Sequence, residues 1–161
     1  MIALSMRPMG QEWGTMTFAS TLYLCPILDI LLEDIPAPWQ PELRLGLQEA
    51  IINAVKHGNG LDPNKKVQIR FSVVEQQYWW IISDEGGGFR PPQGGKSSEE
   101  YLPDMSSECG RGLCLLYEIF DHVYWNSNGT ELRLGKSLRK PPFSTSNLLR
   151  EFRHSLEILT S

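Results

Sequence analysis

Cysteine is scarce in this chain: Cys25, Cys109 and Cys114 are the only three, and no two stand in a CxxC spacing. An odd, scattered set excludes a disulfide framework and a four-thiolate zinc site, and it predicts reduced thiols in a cytoplasmic protein. No apolar run approaches the roughly 20 residues that span a bilayer, so no membrane contact is expected. The first residues lack a basic segment leading into an apolar one and a cleavage site, which predicts no secretion. Basic excess is missing too. Fifteen Lys and Arg stand against 19 Asp and Glu, a net charge of −4, which leaves no electrostatic footprint for nucleic acid. Nor is a common nucleotide signature present. There is no G-x-x-x-x-G-K-[ST], and the glycines at 86–88 and at 110–112 both fail G-x-G-x-x-G.

What remains is an ordinary globular composition, 41% hydrophobic and 21% charged over 161 residues, enough for one domain with a real core. Residues 1–14 form a loose N-terminal extension broken by Pro8, Gly10 and Gly14. Residues 16–25, rich in Thr, Phe, Leu and Tyr, read as a strand, and Pro26 opens a short helix over 27–34. A long helix is predicted from Pro41 to about His57, ended by Gly58. The alternation over 67–74 and the run 78–84 predict a hairpin turning at Gln76-Gln77. Residues 86–107 hold five glycines and three prolines, too long and polar for a plain connector, as a lid would be. A helix is expected over 113–120, then a hairpin of 123–126 with 131–138 turning at Asn128-Gly129. Beyond Pro141-Pro142, a tail over 141–161 carries Leu148, Leu149, Phe152, Leu156 and Leu159 at helical spacing.

The long helix organises the chemistry. At about 100° per residue, Leu43, Leu47, Ala50, Ile51 and Ala54 form one core-facing stripe. Glu49 and Asn53 stack on another face, and Lys56 and His57 extend that face by a turn. Plain solvation produces such faces too. Asp84 ends a strand and is followed by Gly86-Gly87-Gly88-Phe89, where an acid can accept from an amino group while the backbone closes on a flat ring. A tight turn would read the same. Gly110-Arg111-Gly112-Leu113 leads into a helix, whose free N–H groups favour phosphate. Gly129-Thr130 sits at a hairpin, where the hydroxyl could join a polar network around Asp84.

In order, these are E-x-x-x-N on a helix, D-x-G-x-G after a strand, a long polar loop, G-x-G-L before a helix, and G-T on a late strand. The set resembles the GHKL ATPase superfamily of gyrase B, histidine kinases and MutL. The fuller strings EAIINAVKHG, SDEGGGF and GRGL look most like its anti-sigma-factor serine kinase branch, the RsbW/SpoIIAB type. The resemblance implies one ATP-binding domain over 15–140. Its fold would be an α/β (α+β) two-layer sandwich, a mixed, largely antiparallel sheet with helices on one face. It implies ATP and Mg²⁺ as cofactors, with Asn53 as the metal ligand. Glu49 would be the catalytic base, and Asp84, supported by Thr130, would accept from the adenine amino group. Gly86 and Gly88 would admit the nucleotide, and Gly110, Arg111, Gly112 and Leu113 would end the lid and cradle phosphate. Lys56 and His57 match a basic pair of the branch without an assigned role.

Two departures stand out. Arg90-Pro91-Pro92 follows Phe89 where the branch has an acid before proline, and the segment ahead of the long helix is short. The implied function is an ATP-dependent protein serine/threonine kinase that sequesters a sigma factor, phosphorylates an anti-anti-sigma (STAS) protein and can form a homodimer. An ATP-gated binding module that transfers nothing is the alternative. A detached histidine-kinase catalytic domain fits less well, since no helix with a phosphoacceptor histidine precedes the ATP-binding region. The tail could pack on the domain or bind a partner.

Overall fold

The structure, a computed structural model, describes residues 3–5, 13–90 and 108–138, with side chains for all of these except 3–5 and 108–111. Most of the expected lid and the tail helix lie outside these residues. Six strands make one sheet in the order β1-β2-β3-β4-β6-β5: Ala3–Ser5, Gly14–Ala19, Lys66–Val74, Gln77–Asp84, Glu131–Ser137 and His122–Trp125. All five pairings are antiparallel. Among the described residues three α-helices accompany the sheet, α1 (Cys25–Leu31), α2 (Gln40–Ile52) and α3 (Glu108–Ile119). The chain is thus the expected α/β sandwich, with a sheet that is antiparallel throughout the described residues rather than mixed.

Register explains which face the helices cover. Met16 pairs Ile69, Ile69 pairs Ile82, Ile82 pairs Leu132 and Leu132 pairs Trp125, one row across five strands. Two residues along, Phe71, Trp80, Leu134 and Val123 form a second row on the same face. Leu43, Leu47, Ala50 and Ile51 of α2 and Leu115, Leu116 and Ile119 of α3 join these rows in one buried core. Burying such side chains stabilises by about 1.5–3 kcal/mol each. Pro26 and Pro41 start α1 and α2, where a missing N–H costs nothing. Gly46, inside α2, lets Phe120 approach so that an added Cβ would stand 2.6 Å from its ring. That ring meets Trp80 edge-on at 5.9 Å.

Several expectations shift. The first 14 residues contain β1, a three-residue edge strand too short for an alternation pattern. The strand predicted over 16–25 ends at Ala19, because Ser20 donates its N–H and hydroxyl to the Lys65 carbonyl and turns the chain. The first hairpin turns at Glu75 and Gln76, both at positive φ (50° and 65°), one residue earlier than expected. Two successive positive φ angles match the twist of a hairpin. The long helix changes form at Asn53. Residues Asn53–Gly58 make a π turn, in which Asn59 N–H bonds the Ala54 carbonyl at 2.8 Å, five residues back. Finally, α3 begins at Glu108, so Gly110, Arg111 and Gly112 lie inside the helix rather than in a loop before it.

A buried ion pair joins the two layers. Lys136 of β6 reaches Glu42 of α2 at 3.4 Å, donates to the Ile119 carbonyl at the end of α3, and lies 5.3 Å from the Trp39 ring. A cation at a helix C-terminus satisfies an orphan carbonyl and the dipole together.

Candidate functional site

Asp84 closes the third inner row of the sheet, in line with Phe18 and Val67. It stands where the helix-covered face runs out, so a carboxylate replaces the apolar side chain the pattern would otherwise require. Its N–H donates to the Thr130 carbonyl at 3.0 Å, and its Oδ1 accepts from Gly86 N–H at 2.8 Å. Burial raises its pKa above the ordinary carboxylate range, partly offset by the Gly86 N–H and the charge of Lys65. A raised carboxylate in a cleft makes Asp84 a candidate functional group.

Around Asp84 lies a cleft of about 170 Å³. One wall comes from α2 and its π turn (Ala50, Asn53, Ala54, His57, Gly58), another from the sheet (Ile82, Leu132, Trp125). Gly88, Phe89 and Gly129 edge it on one side and Leu113 of α3 on another. Phe89 meets Trp125 edge-on at 4.8 Å. The surface is mostly apolar with one carboxylate, which suits a flat ring bearing an exocyclic amino group.

The glycines here are fixed by the chain's contact with itself. A Cβ on Gly86 would lie 1.9 Å from the Gly58 carbonyl oxygen, and one on Gly88, at φ +76°, 2.0 Å from that of Asn128. These approaches zip the loop after β4 onto the π turn and onto the β5–β6 hairpin, where Phe89 N–H donates to the Asn128 carbonyl at 3.1 Å. Thr130 serves Asp84 through its main chain. Its hydroxyl accepts from Asn126 Nδ2 at 3.1 Å, while its carbonyl takes the Asp84 N–H.

Glu49 and Asn53 do share a face. A Cβ on Gly112 would stand 3.2 Å from Glu49 Oε2 and 3.8 Å from Asn53 Nδ2, so the first turns of α3 lie over this pair. Glu49 is half-buried, and desolvation raises its pKa. Asn53 lines the cleft and Glu49 sits one turn before it. Lys56 and His57 do not extend their face together: His57 lines the cleft, whereas Lys56 lines a separate groove on the other side of the helix. Lys56 continues the four-residue spacing of Arg44, Gln48 and Ile52, and His57 that of Asn53, since adjacent positions on a helix do not share a face.

Asn59 escaped the sequence reading. It is 2% exposed, donates to Ser20 Oγ and the Lys66 carbonyl at 2.9 Å each, and accepts from Glu85 N–H at 2.8 Å. This one amide ties the end of β2, the start of β3 and the residue after Asp84. In the sequence it sits in a turn-prone string, and its only signal was an amide beside glycine.

Among the described residues no helix is long and apolar enough to cross a membrane, and no cluster of three or more His, Cys, Asp or Glu could by itself hold a metal ion. A family model described as a histidine kinase-like ATPase domain matches residues 29–136, about two thirds of the chain. No curated protein matches the chain.

Proposed function

This chain belongs to the histidine kinase-like ATPase family, and from that membership we propose that it binds ATP in the cleft around Asp84 and transfers the γ-phosphate to a serine or threonine of a partner protein. The observation that carries the reading is the joint placement of three groups. Asp84 stands on the cleft wall, Asn53 lines the same cleft, and Glu49 lies one turn before Asn53 beneath Gly112. A cleft of about 170 Å³ suits a planar base better than a whole nucleotide. Sugar and phosphates would therefore extend past Asn53, toward Glu49 and the start of α3.

Magnesium suits this donor set. Mg²⁺ keeps waters and phosphate oxygens as most of its ligands and takes few from protein. The carboxamide oxygen of Asn53 is a suitable hard donor of that kind. Bound there, the ion would supply charge neutralisation to the phosphates. Glu49 then has the task of a base: its carboxylate takes the proton of the acceptor hydroxyl as that oxygen bonds to the γ-phosphorus. The bond from phosphorus to the β,γ-bridging oxygen breaks, and ADP leaves with that electron pair. A carboxylate raised by burial is a stronger base than an exposed one, in the direction this role needs. The resemblance further supports an anti-sigma regulator, with a STAS-domain protein as acceptor and a sigma factor as the sequestered partner.

Labelled Mg-ATP offered with a STAS-domain acceptor tests this directly. Wild type should transfer phosphate. Glu49→Ala should bind ATP within a few-fold of wild type and transfer none. If wild type binds ATP and its affinity for the acceptor changes without transfer, the chain is an ATP-gated binding module. No heat on titrating Mg-ATP into wild type would overturn ATP binding itself.

A further inference from the structure

The wall formed by α2 and its π turn serves two cavities. Asn53 and His57 line the nucleotide cleft, whereas their sequence neighbours Ile52 and Lys56 line a groove of about 450 Å³ on the opposite side. Leu22, Cys25 and Leu61 complete the groove's apolar rim, and Arg44 adds a second cation. Among the described residues no carboxylate lines it, although the chain as a whole is acidic. Arg44 is engaged by Asp29, while Lys56 is exposed.

Unusual exposure marks this rim. Leu22 is 57% exposed, Leu61 is 49% exposed, and Tyr23, beside Leu22, is 72% exposed. Leu61 also holds φ at +61°, a conformation costly for a leucine, with its N–H bonded to the Val55 carbonyl. An apolar side chain thus stands in water at the groove's edge on a strained backbone.

We propose that this groove docks the phosphoacceptor partner through an apolar segment that carries carboxylates. The inference rests on the kinase reading and names the surface by which its substrate is held. Leucine-type side chains of the partner fill the space between Leu22 and Leu61, and a carboxylate pairs with Lys56. A helix with side chains is about 10–12 Å across, a span that three or four extended residues cover. The acceptor hydroxyl therefore lies about that many residues from the docked segment, over the wall and against Glu49. Charge and apolar contact in the groove select the partner, and the other side of the same wall performs the transfer.

Cys25 supplies a readout that needs no variant, because it is exposed and lines the groove. The probe is a short fluorescein-labelled peptide with a leucine stripe flanked by glutamates, and its control has lysines in their place. The glutamate peptide should bind wild type about tenfold more tightly than the lysine peptide, and slow maleimide modification of Cys25 measured by mass spectrometry. Lys56→Glu should invert the preference, and Leu22→Ser should weaken both peptides about tenfold, with Mg-ATP affinity unchanged. Unprotected Cys25, or equal binding of the glutamate peptide to wild type and Lys56→Glu, overturns the proposal. So does Cys25 protection that appears on concentrating the protein alone, since a second copy would then fill the groove. Absence of Mg-ATP binding sinks the kinase reading but leaves Cys25 protection to decide the groove.

Discussion

Gly58 and Asp84 are complementary: the carboxyl carbon of Asp84 stands 2.4 Å from where a Cβ on Gly58 would be. The acid occupies space that only a glycine leaves open. Gly58→Ala should therefore push Asp84 off the cleft wall. We expect ATP affinity to fall about tenfold or more, equivalent to ~1.4 kcal/mol, with a stability loss in the ~1–3 kcal/mol range of overpacked sites. Calorimetry of Mg-ATP binding beside a urea melt separates the two. Unchanged affinity would show that Asp84 does not need this position.

Asp84 should give nucleotide binding an acid limb. Its folded pKa is raised above the ordinary 3.8, chiefly by burial. The folded state thus holds the proton to higher pH than the unfolded one, so this group's stabilising contribution is present at low pH and is lost as pH rises through the folded value. Binding runs the other way, because only the carboxylate accepts at both oxygens. ATP affinity should fall as pH drops through the raised value. Asp84→Asn should lose that limb together with the preference for ATP over GTP, while its stability near neutral pH equals or exceeds wild type. A pH series of titrations with both nucleotides checks this.

The Asn59 amide should matter to both fold and site. Asn59→Ala removes its bonds to Ser20, Lys66 and Glu85 at once. These partners are only part-buried, so the loss should fall toward the lower end of the about 1–3 kcal/mol that unpaired buried groups cost. ATP affinity should weaken as well, since Glu85 adjoins Asp84. Asn59→Asp, which keeps the acceptor for Glu85 N–H but loses the two donors, should retain more affinity than stability.

Lys136→Met should be among the most damaging single changes. It leaves Glu42, 1% exposed, without its cation, and breaking a buried pair typically costs ~3–5 kcal/mol. Adding Glu42→Leu should recover most of the loss. Denaturant midpoints of the single and double variants measure the coupling, and additive effects would mean that the pair contributes nothing.

Features with a period were legible in the sequence. The stripe of Leu43, Leu47, Ala50 and Ile51 is buried as its spacing required, and the alternation of 67–74 fixed a strand to within a residue. The position of Asp84 was legible because an acid before Gly86-Gly87-Gly88 marks a strand end, and β4 does end there. What hid was aperiodic or depended on distant chain. The π turn has no composition of its own, and Lys56 and His57, read as one face, lie on two because adjacent helical positions point about 100° apart. Gly110 and Gly112 read as loop residues by propensity, yet α3 carries them, and Gly112 meets Glu49 closely enough to leave little room for a side chain. Asn59 acquires its role only once β2, β3 and the loop after β4 converge on it.

The edge-to-face contact of Phe89 with Trp125 has an optical consequence. Trp125 borders the cleft, while Trp13, Trp39, Trp79 and Trp80 do not line it, so an aromatic guest would quench or shift one emitter among the five indoles. Occupancy could then be followed by intrinsic fluorescence, without a dye, with Trp125→Phe as the dark control.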